Sequence, residues 1–152
     1  MSEPTALAES VAEKLGGRQL ATAESVTGGQ VAQFFTQVGG SSDWFRGGVV
    51  AWQHGTKYEL LGVPEGAPVV TAGAALAMAT GVAKLLDAAV AVATTGAAGP
   101  SGQDGAPPGR AYVATYVDGH TAVRELQVPG PPPTVCATTA EAALQLLLDE
   151  LS

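Results

Sequence analysis

The sequence predicts an α/β protein built on a mixed sheet, and three observations predict it. Segments with helical periodicity alternate with short β-rich segments along the chain. The run AAVAVAT at 88–94 is apolar throughout, which is the pattern of a central strand buried on both faces. Asp118-Gly119 separates two strand-like runs, a hairpin signal that makes the sheet mixed and not purely parallel.

The elements run in order along the chain. Residues 4–15 read as a helix, with Pro4 in the first turn, Leu7, Val11 and Leu15 on one face, and Gly16-Gly17 ending it. QLATAE at 19–24 reads as a strand. Thr27 and Gln30 have capping-box spacing, so a helix is expected from near Gly28, burying Val31, Phe34, Phe35 and Val38 and stopped by Gly39-Gly40. RGGVVAWQ at 46–53 reads as a strand, and 55–61 as a short helix. Thr71 caps a long helix through Leu86, with Leu76, Ala79, Val82, Ala83 and Leu86 inward. After the apolar strand comes a Gly/Pro loop at 96–109, of a length that is usually functional or disordered. The strands 110–117 and 121–128 form the hairpin. PGPPPT breaks the chain, and a helix at 135–151 closes it, with Leu144, Leu147, Leu148 and Leu151 on its apolar face.

Bulk properties narrow the function. The 152 residues fit one domain spanning 1–152, with a core of its own. Hydrophobic residues make up 46% of the chain and charged residues 14%, which favours a homo-oligomer over a monomer. No apolar run is long enough for a membrane span, and the N-terminus lacks the basic start of a signal peptide, so a cytoplasmic protein without membrane partners is expected. The net charge is −7 and the seven basic residues form no cluster, which argues against nucleic acid and leaves room for a small anion. Two histidines and one cysteine do not make a metal-ligand set, and Cys136 reads as a buried, inert thiol.

Three strand-to-loop transitions carry possible chemistry. AESVTGG at 23–29 runs a strand into a helix start, where free backbone N–H groups suit an anion; an ordinary capped turn reads the same way. TTGAAGPSG at 94–102 comes after the apolar strand, at the carboxyl end where open α/β sheets bind ligands; a surface loop is the alternative. It is neither a dinucleotide fingerprint nor a Walker loop. VGGSSDWFRGGVVAWQHGTK at 38–57 holds two serines and Lys57. A lysine with its pKa lowered by burial can activate a serine, yet a serine after glycine is more often a helix cap. Trp44 and Trp52 read as core or interface residues before they read as a stacking platform.

Together, TAESVTGG, GGSSDWFRGGVVAW, KYELLGVP, ALAMATGVAKLL, TTGAAGP and EAALQLL resemble the C-terminal domain family of the competence/damage-inducible protein CinA, from about residue 5 to 151. The resemblance implies a three-layer α/β/α fold with a mixed, mainly parallel sheet. It implies a nicotinamide mononucleotide deamidase: a Ser/Lys amidohydrolase with no cofactor and no metal, whose partner is a small pyridine nucleotide. By the family pattern the nucleophile falls on Ser42, the general base on Lys57 and a substrate-holding hydroxyl on Thr95. Thr27, Gly28, Gly29, Ser41, Arg46, Trp52, Gly96 and Gly99 are expected around the substrate.

The chain departs from that pattern in places. Trp52 stands where the family has tyrosine, so a hydroxyl is replaced by a group that only donates. Pro132 stands where a site arginine is expected, and proline cannot grip a phosphate. Val26 replaces a cysteine, and VTAG replaces VSEE. These departures leave two alternatives: a degenerate member that serves as a pyridine-nucleotide-binding or oligomeric scaffold, or an amidase with a shifted substrate.

Overall fold

The computed structural model describes residues 3–152. The elements run α1 (Glu3–Lys14), β1 (Leu20–Glu24), α2 (Gln30–Thr36), β2 (Phe45–Val50), α3 (His54–Leu61), α4 (Ala72–Leu85), β3 (Val90–Gly96), β4 (Arg110–Val117), β5 (His120–Gln127) and α5 (Pro132–Leu151). A 3-10 turn at Ser41–Asp43 precedes β2.

The five strands form one sheet in the order β2-β1-β3-β4-β5. β1 pairs in parallel with β2 and β3, and β4 is antiparallel to both β3 and β5, so four of the five strands share one direction. The sheet is mixed, mainly parallel by direction, as expected. The order also places β1 at a reversal: the chain leaves it toward β2 on one side and returns to β3 on the other. The crevice beyond the carboxyl ends of β1 and β3 is therefore where this topology places a ligand.

Alternation along the strands sorts the two layers. Leu20, Val90, Val92 and Val113 face a layer of α1, α2 and α5, packing against Leu7, Val11, Phe35, Leu144 and Leu147. Ala21, Ala23, Ala91, Ala93 and Ala114 face the other way, onto α4 and the end of α3. Alanine on the sheet meets alanine on α4, which allows close approach. Ala74, Ala75, Met78, Ala79, Val82 and Ala83 form the buried face of α4, whereas Leu76 and Leu86 are only half-buried at its margin. Contact is closest at Gly81, where an added Cβ would sit 2.0 Å from the Leu61 carbonyl oxygen.

Most boundaries fall within a few residues of expectation. Asp118 and Gly119 both have positive φ (50° and 88°), as a two-residue primed turn requires. Two readings need correction. α5 starts at Pro132, three residues before its expected start. Pro132 and Pro133 occupy its first turn, where a backbone N–H has no helical partner to lose. α2 is shorter than expected and is not capped by Thr27. The loop at 96–109 is a built structure: Gln103 and Ala106 bridge to each other, and Asp104 anchors the turn to two other segments.

Candidate active site

The start of α2 holds an anion already, and the anion is the protein's own. Glu24, 1% exposed, ends β1 and turns its carboxylate onto the helix start. Its Oε1 accepts from the Val31 N–H at 2.8 Å and the Thr27 hydroxyl at 2.6 Å, and its Oε2 accepts from the Ala32 N–H at 3.0 Å. The helix terminus favours negative charge there. Thr27 also bonds Thr94 Oγ1 at 2.7 Å, so its hydroxyl joins β1 to β3 under the site and is not turned to a ligand. At this helix start the Val31 and Ala32 amides are taken by Glu24, and the Gly28 N–H donates to the Ser25 carbonyl at 2.9 Å.

Beyond Glu24 the crevice opens. A cavity of about 260 Å³ is lined by Ser25 and Val26 after β1, by Gly96, Ala97, Ala98 and Gly99 after β3, and by Trp52, Ser101 and Gln103. None of these side chains carries a charge. Gly96 presses on β4, where a Cβ would meet that of Ala111 at 2.9 Å, and Gly99 has φ 96°. Gly28 and Gly29 take φ 58° and 106°, and Gly28 lies beneath the Trp52 ring. Trp44 is the core residue expected, edge-on to Phe35 at 6.0 Å. Trp52 is not: it is 65% exposed at the cavity wall, because β2 ends at Val50 and the chain swings outward.

Lys57 lies behind that wall, in the second turn of α3, and is 1% exposed. Its ammonium donates one hydrogen bond, to the Trp52 carbonyl at 3.2 Å. No carboxylate lies within ion-pair distance of it among the described residues. Burial pulls its pKa below the ordinary lysine value, and the Asp104 charge opposes that pull. Asp104 accepts from the Val69 N–H at 2.8 Å and from His54 Nε2 at 3.1 Å. The Val69 hydrogen bond is the main cause holding its carboxyl below the usual range, with His54 adding to it. Thr95 is buried and donates to the Val69 carbonyl at 2.6 Å, so its proton serves the loop at 63–70 and not the cavity.

Ser42 is elsewhere. It sits in the turn before Phe45, whose Cα pairs with Leu20 at the start of β1, whereas Lys57 comes after Val50, which pairs with Glu24 at its end. The six-residue strand β2 lies between them, a span of roughly 20 Å. Ser42 is exposed; its neighbour Ser41 donates to the Thr36 carbonyl at 3.3 Å and fixes the turn. Arg46 is exposed at the same amino end and makes no ion pair among the described residues. Within one chain the structure thus groups Lys57, Trp52, Gly28, Gly96 and Gly99 at the carboxyl edge and leaves Ser42 and Arg46 at the other. Ser25, Glu24 and Asp104 were missed from sequence. Only Ser25 had a signal, its place one residue past a strand entering the crevice.

The fold and this edge site define the class: a doubly layered α/β protein with a neutral, glycine-walled crevice and a buried lysine behind it. The profile of the CinA C-terminal domain matches residues 4–151, and the chain belongs to that family. It is 39% identical over 132 residues to a CinA-like protein of Frankia casuarinae, covering 84% of this chain and 30% of that one. A CinA-like protein of Mycobacterium tuberculosis is 38% identical over 150 residues, covering 95% of this chain and 35% of that one. The chain thus spans about a third of the length of these curated relatives. Among solved structures, the competence or damage-inducible protein of Enterobacter asburiae superposes with TM-score 0.94 at 27% identity, covering 100% of both chains. The competence/damage inducible protein CihA of Agrobacterium tumefaciens superposes with TM-score 0.91 at 30% identity, covering 98% of this chain and 96% of that one.

Proposed function

We propose that the chain is an amidohydrolase that hydrolyses the carboxamide of nicotinamide mononucleotide to nicotinic acid mononucleotide and ammonia. The observation that carries this reading is Lys57. A buried lysine beside a crevice, with a lowered pKa, one hydrogen bond and no counter-carboxylate among the described residues, is suited to serve as a general base. The cavity supports the same substrate. The exposed indole face of Trp52 suits a cationic pyridinium ring, and the glycine wall lets backbone approach it closely.

The chemistry is acyl transfer in two steps. A serine Oγ attacks the carboxamide carbon as its proton passes to Lys57, and the family pattern assigns that serine to Ser42. The C–N bond then breaks as Lys57 returns that proton to the leaving nitrogen, which departs as ammonia. Water attacks the resulting ester, Lys57 takes its proton and returns it to the nucleophilic serine, and the carboxylate product leaves. In this reading Ser25, which lines the cavity, would hold the carboxamide oxygen.

A second reading rests on a specific observation: Ser25 lines the cavity and Ser42 of the same chain does not. Ser25 would then be the nucleophile. Ammonia release from nicotinamide mononucleotide by wild type, Ser42→Ala and Ser25→Ala separates the two. Loss of ammonia release in Ser42→Ala supports the first reading. Wild-type rates in Ser42→Ala with none in Ser25→Ala support the second, and no release by the wild-type protein rejects both.

A further inference from the structure

The crevice has walls from distant parts of the chain, and one side chain ties them together. Gly96, Gly99, Ser101 and Gln103 stand on the loop wall, and Trp52 stands on another. Asp104 follows Gln103, and His54 lies two residues past Trp52 and opens α3. Asp104 Oδ2 accepts from His54 Nε2 at 3.1 Å and from the Val69 N–H at 2.8 Å. The Val69 carbonyl in turn accepts from Thr95 Oγ1 at 2.6 Å, near the end of β3. Three segments thus meet through one carboxylate oxygen.

We infer that Asp104 is a positioning residue of this site: it pins the loop wall to the start of α3 and so holds Trp52 and Lys57 in one frame against that wall. The inference rests on the reading of Lys57 as the base. Lys57 lies three residues past His54 on the same helix, and its ammonium bonds back to the Trp52 carbonyl at 3.2 Å. Fixing His54 therefore steadies both ends of that bond. The turn that carries Asp104 is closed on itself. Gln103 and Ala106 exchange backbone hydrogen bonds at 3.0 and 2.9 Å. Between them Asp104 and Gly105 have φ 51° and 80°, the primed turn that an Asp-Gly pair favours. At the base of the turn Gly102 has no room for a Cβ, which would collide with the Ala106 carbonyl. A turn closed in this way moves as a unit, and the loop wall moves with Asp104.

The same carboxylate acts on Lys57 by its charge, which opposes the effect of burial. The other titratable groups around α3 are engaged elsewhere. Tyr58 and Glu59 of α3 line a second cavity together with Glu65. α4, which packs on α3, carries one charged residue, the exposed Lys84. Glu24, at the end of β1, serves the amides of α2. His54 is bound to Asp104 itself. Asp104 thus does two things for the base: it fixes where the base stands and sets how firmly the base holds its proton.

Two substitutions separate these effects, and both suit the primed turn. Asp104→Asn keeps an oxygen for the Val69 and His54 bonds and removes the charge. Asp104→Gly removes the side chain. With nicotinamide mononucleotide as substrate, Asp104→Asn should keep the wild-type KM and carry the acid limb of kcat/KM to lower pH, because Lys57 then holds its proton less firmly. Asp104→Gly should raise KM by about 10-fold, the cost of a site wall displaced by a fraction of an ångström. A second readout needs no turnover. Lys14, Lys57 and Lys84 are the only lysines in the chain, so in protein made with isotope-labelled lysine the Lys57→Met variant assigns the Lys57 Cε signal. That NMR signal should titrate at lower pH in Asp104→Asn than in wild type, with mass spectrometry checking that the new side-chain amide stays intact. A Lys57 titration unmoved in Asp104→Asn overturns the inference, and so does a wild-type KM in Asp104→Gly. If the wild-type protein releases no ammonia, the amidase reading fails by itself. The Lys57 titration and the rate of proteolysis within 99–108 in Asp104→Gly then decide the inference: a lowered titration with faster cutting keeps it, and either one at the wild-type value overturns it.

Discussion

Removing the carboxylate of Glu24 should destabilise the protein by roughly 1.5–5 kcal/mol, the sum of two losses. The carboxylate is the cap of α2, and losing a side-chain cap costs about 0.5–2 kcal/mol. Glu24→Ala also strands the N–H of Val31, a residue with no exposed surface, and leaving a buried donor unpaired costs about 1–3 kcal/mol. The Ala32 N–H and the Thr27 hydroxyl lose a partner too, although Ala32 is part-buried and Thr27 keeps Thr94. In a chain of this length each kcal/mol moves the melting temperature by about 2–4 °C, so a fall of roughly 10 °C is expected. Glu24→Gln keeps one acceptor for Val31 but turns its amide N–H₂ toward the Ala32 N–H, and about half the loss is expected. Urea denaturation measures both variants, with the slope unchanged. A Glu24→Ala midpoint within about 0.5 kcal/mol of wild type would refute the account of a self-supplied anion at the helix start.

The same geometry sets three other outcomes. Lys57→Met should melt above wild type at pH 7. The lysine's folded pKa lies below its ordinary 10.5, so the unfolded chain binds the proton more tightly and wild-type stability climbs with pH toward 10.5. The gap between the two proteins should close over that climb, and a gap constant with pH would contradict burial as the cause. Gly81→Ala places a Cβ 2.0 Å from the Leu61 carbonyl oxygen and must push α3 from α4, at a cost of about 1–3 kcal/mol or more by chemical denaturation. Asp104→Ala releases the clasp on Val69 and His54, so limited proteolysis should cut faster within 99–108 while the melting temperature changes little.

Much of the fold was legible because its signals are local. The uninterrupted apolar run named β3, the Asp118-Gly119 pair named the hairpin, and Thr71 capped α4 as expected, accepting from the Ala74 N–H at 3.0 Å. Glu24 was not legible, because its partners lie seven and eight residues on, across a turn whose path the sequence does not state. Trp52 read as core or interface from its residue type and as a substrate-side residue only from the family pattern; its place on the cavity wall follows from the strand stopping two residues earlier. The separation of Ser42 from Lys57 was implicit in the strand expected between them. An extended strand holds the residues on its two flanks apart, one at each end of the sheet.

The central claim is that Lys57 drives hydrolysis of a nicotinamide carboxamide, and ammonia release from nicotinamide mononucleotide by wild type and Lys57→Met tests it most directly. The account predicts one ammonia and one nicotinic acid mononucleotide per substrate consumed by wild type, and a rate at least about 100-fold lower in a folded Lys57→Met. Release by Lys57→Met at the wild-type rate, or none by the wild-type protein, would contradict it.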